Sequence, residues 1–442
     1  MTTKQLGLDA LVSMCKRRGF IFQSSEIYGG FAACWDYGPL GVELKNRVKE
    51  LWWDFMVRRR EDVVGMDGSI LMHPDIWVAS GHVESFHDPL VDCKECKKRF
   101  RADMVEGAKV CPECGGELTE PRQFNLMFKT HVGPVEDDAS IAYLRPETAQ
   151  AIYVNYKNIQ QASRMKLPFG IAQAGKAFRN EVTTKRFTFR SREFDQMEMQ
   201  YFVPPDEDEK WFDYWLEQRQ KFYQLLGISA EKLRLSEHGP NELAHYAKKA
   251  FDIQFEFPFG WQEIEGIHNR TDFDLTQHAK HSGKDLTYFD EQRKQKYLPK
   301  VVETSAGLDR TVLAVLCDAF KEEKESGEGH KRETRYVLRF HPRVAPVTVA
   351  VFPLLKKDVL IEPARKIEEQ LRKASLRTFF DITGSIGKRY RRMDEIGTPF
   401  CITFDFDSLE DQAVTVRDRD TLQQDRIGID KVRDYLLEKI EA

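Results

Sequence analysis

AGKAFRNE (Ala174–Glu181) and EFDQMEMQYFV (Glu193–Val203) flank a polar, basic loop, VTTKRFTFRSR (Val182–Arg192). Both flanks are strand-like, and successive side chains of a strand point to opposite faces. Arg179 and Glu181 therefore share one face of the first strand. Phe194, Gln196, Glu198 and Gln200 share one face of the second, with Met197, Met199 and Tyr201 on the other. Paired as a hairpin, the polar face carries a guanidinium, carboxylates, amides and an aromatic ring, a set suited to a nucleotide and a small zwitterion. The competing reading is a surface hairpin with solvated charges. The rest of the chain decides between them.

A chain of 442 residues has room for about two to four domains with a substantial core. Its 41% apolar and 31% charged residues are ordinary for a globular protein, and no run approaches the length of a membrane span. MTTKQLGLDALVSMCKRRGF (Met1–Phe20) lacks the apolar core and small-residue cleavage site of a signal peptide, so a cytoplasmic location with no membrane association is expected. The net charge of −4 leaves any polyanion to be met by local basic patches rather than by a global field. Cys93, Cys96, Cys111 and Cys114 form two C-x-x-C knuckles separated by fourteen residues. In a reducing compartment that spacing points to a four-cysteine zinc ribbon, because two knuckles deliver four sulfurs to one ion. Cys15, Cys34, Cys317 and Cys401 sit in apolar surroundings and are expected to pack.

Along the chain, GVELKNRVKELWWDFMV (Gly41–Val57) places Leu44, Val48, Leu51 and Phe55 on one helical stripe, with Trp52 and Trp53 beyond it. A helix apolar on more than one side needs a second partner, which makes a subunit interface an expectation there, alongside a large internal core. The ribbon-like insertion runs from about Asp92 to Glu120, and RPETAQAIYVNYKNI (Arg145–Ile159) reads as a helix with Pro146 in its first turn. Residues 206–250 read as helix-rich, charged and packed by their aromatics. WQEIEGI (Trp261–Ile267) reads as a strand with Trp261, Glu263 and Glu265 on one face. KYLPKVVE (Lys296–Glu303) reads as a strand ending at Glu303, before a turn, TSAG, and a helix with Arg310 in its first turn. KEEKESGEGHKRE (Lys321–Glu333) marks a solvated loop. Beyond HPRVAP (His341–Pro346) the texture alternates strand and helix, as in a compact, separable α/β domain.

No G-x-x-x-x-G-K-[ST] and no G-x-G-x-x-G after a strand is present. A nucleotide site would be built instead from arginines reaching phosphates and a ring stacking on the base, with Arg179 and Arg310 at two ends of a triphosphate.

At these residues the chain resembles the glycyl-tRNA synthetases, class II aminoacyl-tRNA synthetases. DYGPLGVELKNRVKELWW (Asp36–Trp53) is similar to the motif 1 region, FRNE (Phe178–Glu181) with FRSREFDQME (Phe189–Glu198) to motif 2, and ETSAGLDR (Glu303–Arg310) to motif 3. The likeness is nearly end to end and includes RPETAQ (Arg145–Gln150) and RTDFDL (Arg270–Leu275). It departs from the class pattern in having no proline between Pro39 and Pro74, and Thr304 where proline is common. The resemblance implies an α+β catalytic domain on an antiparallel sheet over residues 1–340, with a zinc-ribbon-like insertion at 92–120. It further implies an α/β anticodon-binding domain over residues 345–442.

The activity so implied is a two-step ligation: glycine attacks the α-phosphate of ATP, pyrophosphate leaves, and the glycyl group passes to the terminal ribose of tRNA(Gly). Arg179 would hold the α-phosphate, with Asn180 beside it. Glu181 would accept from the adenine amino group, Phe194 would stack on the ring, and Arg190 or Arg192 would reach the outer phosphates. Phe189, Ser191 and Glu193 complete that loop. Arg310 would clamp the far end beside Gly307, Leu308 and Asp309. Glu263 would hold Mg²⁺ with ATP, next to Ile264. Glycine-pocket positions carried over are Arg101, Glu147, Phe194, Asp195, Gln196, Met197 and Glu198, then Glu303, Thr304, Ser305, Ala306 and Gly307. Glycine offers no side chain to read, so such a site grips its ammonium with carboxylates and excludes anything larger. That exclusion also removes the need for an editing domain. A structural zinc and a homodimer are further implications.

GKRYRR (Gly387–Arg392) puts four cations near a helix start, as a contact for anticodon-stem phosphates or as a solvated helix. The histidines, among them His82, His268 and His278, receive no assignment. Competing classes are a non-catalytic synthetase-like tRNA-binding paralogue, a zinc-ribbon nucleic-acid binder without chemistry, and a class II synthetase for proline or threonine. A paralogue would be expected to lose one of Arg179, Glu181, Phe194 or Arg310, all present here.

Overall fold

The computed structural model describes residues 3–105, 110–182, 186–240, 242–244, 246–324 and 334–441. Its largest sheet has seven strands, in the order Leu233–Glu237, Lys249–Phe257, Gly260–Thr271, Lys300–Gly307, Glu193–Val203, Phe169–Phe178 and Val63–Gly65. All neighbours are antiparallel except the last pair.

One face of this sheet is mostly apolar. Met197, Met199, Tyr201, Val302, Ala306, Ile264 and Ile267 are buried there against the helices Pro39–Trp53, Asp208–Leu225 and Leu308–Ala319. Each of the methionine, valine and isoleucine side chains among them contributes roughly 1.5–3 kcal/mol on full burial. Arg219 enters this apolar layer fully buried and donates to both oxygens of Glu265, at 2.5 and 3.1 Å, with its guanidinium 4.4 Å from the Phe222 ring centre. A buried guanidinium persists only with such paired acceptors.

The opposite face is divided. Toward one end Phe169, Ile171, Phe202 and Val301 are covered by Ala149, Ile152, Tyr153 and Tyr156 of the helix Ala149–Ala162 and by Leu275 of Phe273–Ser282. The other end, from Phe194 to Glu198 and Glu303 to Gly307, carries a cavity. The alternation of Glu193–Val203 produces this division: the even positions run from polar residues at Gln196, Glu198 and Gln200 to apolar Phe202, so one face is wet at one end and dry at the other.

Several local expectations change. The first hairpin strand stops at Phe178, so Arg179 and Glu181 stand just beyond it and reach the cavity from the start of the loop. Thr183, Thr184 and Lys185 of that loop lie outside the described residues. The strand with Glu303 continues to Gly307, putting Glu303 in mid-strand and dispensing with a TSAG turn. Opposite Ile253 and Gln254, the register of Gly260–Thr271 slips by one residue, with Ile264 the extra one. This bulge turns Glu263 to the cavity while Glu265 stays in the core, so the two acids occupy opposite faces. Pro146 precedes the helix that begins at Ala149, and among the described residues of 206–250 the α-helix is Asp208–Leu225, followed by the strand Leu233–Glu237, a loop and the start of Lys249–Phe257. Of Lys321–Glu333, residues 321–324 belong to the strand Phe320–Lys324, paired with Thr334–Leu338, and 325–333 lie outside the described residues.

The insertion is built on strands His87–Asp92, Arg99–Arg101 and Arg122–Asn125; residues 106–109 lie outside the described residues. The C-terminal sheet runs Thr378–Phe380, Val349–Pro353, Phe400–Phe404, Ala413–Asp418 and Gln424–Gly428, its first three strands parallel. On one face Val349, Val351, Ile402 and Val416 pack with Leu360, Ile367 and Leu436 of its own helices. The other face is not separable: Ala350, Phe352 and Cys401 join Phe20, Leu316 and Phe340 in the core of the larger unit. Within GKRYRR, Arg389 is buried and donates to the carbonyls of Pro353 and Leu354, and Arg392 pairs with Asp381. Lys388 and Arg391 are the cations of that run that stand exposed.

Candidate active site

Three neighbouring strands bring the site together. Phe194, Asp195, Gln196 and Glu198 come from one, Glu303, Ser305 and Gly307 from the next, and Glu263, Gly266, His268 and Arg270 from the third. Glu147 enters from the segment before the helix Ala149–Ala162, and Asp309 and Arg310 from the first turn of Leu308–Ala319. Arg179, Glu181, Thr188, Phe189, Arg190 and Ser191 line the cavity from the loop.

One end is rich in arginine. Arg310 Nε donates to the Phe189 carbonyl at 3.1 Å, its guanidinium lies 4.5 Å from the Phe189 ring centre, and Nη1 stands 3.3 Å from a Glu263 carboxylate oxygen. Arg179 donates to the Pro146 carbonyl at 3.0 Å and lies between the rings of Phe86 and Phe194, 5.3 and 5.4 Å from their centres. Arg190 Nη1 and Glu181 Oε2 form an ion pair at 3.5 Å, and both atoms are buried without a regular hydrogen bond among the described residues.

The other end is rich in acid. Glu198 receives the Thr148 hydroxyl and, at 3.2 Å, the Thr148 amide. Glu303 accepts from Arg270 Nη1 at 3.1 Å and from Gln200 Nε2 at 2.7 Å, and lies 2.9 Å from His268 Nδ1. Glu147 accepts from Gln150 at 2.9 Å and faces His82 Nε2 at 3.4 Å. Arg270 also donates twice to Asp274, at 2.8 and 2.9 Å, beneath the Tyr246 ring at 3.8 Å.

These surroundings separate the three carboxyls. Burial, then the charges of Glu303 and Glu147, push the Glu198 carboxyl up to about 8. Burial opposes ionisation of Glu303 as well, but Arg270 and His268 override it and bring the group down to about 2. Glu147 is likewise held below its ordinary value by His82 and Arg270 against the effect of burial. Two ionised acids and one protonated acid thus face the same space at neutral pH.

Other site residues inferred from the sequence stand elsewhere. Met197, Thr304 and Ala306 alternate onto the core face, and Ile264 and Leu308 are buried in that same layer. Asn180 donates its amide to Leu126, Arg192 donates to the carbonyls of Glu181 and Ala32, and Glu193 pairs with Lys176, all outside the lining. Arg101 is on the insertion, bonded to Asp88 at 2.9 Å, and is also outside the lining. Conversely, Thr188, Tyr246, Gly266, His268 and Arg270 line the cavity without having been singled out. The period-two continuation of the strand from Gly266 through His268 to Arg270 is the signal that finds three of them.

In the insertion, the sulfurs of Cys93, Cys96, Cys111 and Cys114 all lie within 4.8 Å of one another, with Cys93 to Cys114 at 3.5 Å and Cys96 to Cys111 at 3.7 Å. Four thiolates about 2.3 Å from a tetrahedral zinc have sulfur–sulfur edges of about 3.8 Å, so the donor set fits that ion.

The family model described as tRNA synthetase class II core domain (G, H, P, S and T) matches residues 128–319, and that described as anticodon binding domain matches 348–439. A glycine–tRNA ligase of Treponema denticola is 59% identical over 432 residues, 97% of this chain and 96% of that protein. One from Borreliella burgdorferi is 55% identical over 98% of this chain and 97% of its own length. One from Thermobifida fusca is 51% identical over 100% and 99% respectively. The chain belongs to the glycine–tRNA ligase family. Membership accounts for an acid-lined pocket beside an arginine-flanked one on an antiparallel sheet. A zinc-ribbon binder without chemistry leaves that pairing without a purpose. No helix among the described residues is long and apolar enough to cross a membrane.

Proposed function

We propose that this chain joins glycine to ATP as glycyl-adenylate and passes the glycyl group to the terminal ribose of tRNA(Gly). The observation that carries the reading is the convergence of Glu147, Glu198 and Glu303 on one end of a cavity whose other end holds Arg179 and Arg310. The ammonium of glycine is received by the three carboxyls. Its carboxylate points along the sheet toward Arg179, where the α-phosphate is held for in-line attack. Phe194 stacks on adenine and Glu181 accepts from its amino group. Arg190 and Arg310 take the outer phosphates, and pyrophosphate leaves along that side. In this first step no general base is required, because the attacking carboxylate is already ionised; orientation and cation placement supply the rate. In the second step the ribose hydroxyl takes the glycyl group as AMP leaves, its phosphate accepting the hydroxyl proton. Arg270 and Tyr246 wall the acid end against larger amino acids.

Glu263, half-exposed at the cavity, is the residue for Mg²⁺ carried with ATP, an ion that neutralises phosphate charge. The four insertion cysteines hold a structural zinc, and residues 345–442 take the anticodon arm, in the cytoplasm. A homodimer is our reading of the assembly. The apolar stripe of Pro39–Trp53 is covered within its own chain, so the surface for a second copy is the loop bearing Ile27 and Tyr28, 90% and 88% exposed, with Phe31.

Pyrophosphate exchange into ATP, measured with each of the twenty amino acids, tests the reading. Exchange with glycine alone is expected, and comparable exchange with alanine or proline overturns it.

A further inference from the structure

We propose that Lys45 is a positioning residue that holds the two ends of the adenylation site in register, a proposal that rests on the glycine-activating reading above. Lys45 follows the fully buried Leu44 on the helix Pro39–Trp53, and its side chain is only 15% exposed. Its ammonium donates to Asp195 at 2.6 Å and to Asp309 at 2.8 Å, and stands 4.4 Å from the Tyr37 ring centre. Asp309 collects two further donors: the Tyr37 hydroxyl at 2.6 Å and the Asp195 backbone amide at 2.7 Å. Tyr37 and Lys45 therefore bind, from behind the cavity wall, the two acids that flank its working residues. Asp195 lies between Phe194 and Gln196, and Asp309 immediately precedes Arg310.

Both acids line the cavity, at positions where the family resemblance implies direct ligands of glycine and ATP. The Asp195 carboxylate is nonetheless held by Lys45 and, at 3.4 Å, by Lys176, and that of Asp309 by Lys45 and Tyr37, so their contribution is to fix the backbone on either side. The backbone bond from Asp195 to the Asp309 side chain links the strand bearing Gln196 and Glu198 to the helix bearing Arg310. A buried ammonium shared by two carboxylates is a weak source of net stability but a strong constraint on geometry. Adenylation needs Arg310 on the outer phosphates while Phe194 and Glu198 hold the other parts of the same ligand pair, and an error of about 1 Å between them costs on the order of 100-fold in rate.

Lys45→Met keeps the aliphatic stem and removes the charge. It is expected to lower kcat for glycine-dependent pyrophosphate exchange about 100-fold, with the KM values for glycine and ATP changed less than about threefold and the thermal midpoint within a few degrees. Lys45→Arg is expected to recover at least a tenth of the wild-type kcat. A kcat for Lys45→Met within about threefold of wild type overturns the proposal, as does a loss of kcat matched by loss of fold and not recovered by arginine. Should Lys45→Met not fold, Tyr37→Phe removes a single bond to Asp309, and an unchanged kcat in that variant overturns the proposal equally. Absence of glycine-dependent exchange in the wild-type protein would instead sink the functional reading itself.

Discussion

The two ends of the cavity are built on different principles. At the arginine end the guanidiniums of Arg179 and Arg310 donate to backbone carbonyls and rest on phenylalanine rings, and Arg310 Nη1 also pairs with the half-exposed Glu263, an arrangement that can turn toward phosphate. At the acid end nearly every carboxylate is bonded to a buried side chain that is itself bonded: Glu303 to Arg270 and Gln200, Arg270 to Asp274, Gln200 to Tyr153. A large, flexible, charged ligand can be met by donors that swing into place. The smallest amino acid cannot, since its recognition depends on an ammonium-sized space whose walls do not move.

If that contrast is right, the ends break differently. Arg310→Ala is expected to lower kcat/KM for ATP in exchange about 1,000-fold with the fold intact, because a cation that holds the outer phosphates through the charge-rich transition state is lost. Unchanged exchange would remove the clamp from the account. Glu198→Gln is expected to raise the KM for glycine about 100-fold, since one partner of a buried charge pair is removed, while the KM for ATP moves less than about threefold. Equal losses for both substrates would mean that the two ends are not separate.

The pH dependence sharpens the comparison with a smaller effect. The Glu198 carboxyl, pushed up to about 8 by burial and by its acidic neighbours, is mostly protonated at pH 7, and in the proposed mode the glycine ammonium binds the ionised form. Raising the pH through that value removes the proton and strengthens binding, so the KM for glycine is expected to fall about eightfold between pH 7 and pH 8.5. The KM for ATP should stay nearly level over the same interval, and Glu198→Gln should flatten the glycine profile. A glycine KM that rises with pH would reverse the assigned protonation state.

The two ends also differed in how far their residues could be read in advance. Glu193–Val203 alternates polar and apolar residues with period two, so its cavity face and core face were both legible. Arg310 was equally plain, one turn into a helix with strong periodicity. Arg270 was less plain, because the strand starting near Trp261 ends in polar residues from His268 to Thr271, and only the period-two spacing from Gly266 points to it. The bulge at Ile264 was not legible, since it contains no glycine and depends on the register of a partner strand. Tyr246 lies outside any periodic element and reaches the site only through the tertiary fold. The walls of the acid end, set by contacts distant in sequence, were therefore the hidden part. The residues that present charge to the ligand were the visible part.

The central claim is that three buried carboxyls, one of them protonated until the ligand arrives, receive the ammonium of glycine. Titration calorimetry of glycine binding at pH 7, in two buffers of different ionisation enthalpy, counts the protons exchanged. Release of about one proton per glycine bound is predicted, disappearing in Glu198→Gln. Binding with no proton released by the wild-type protein would contradict the account.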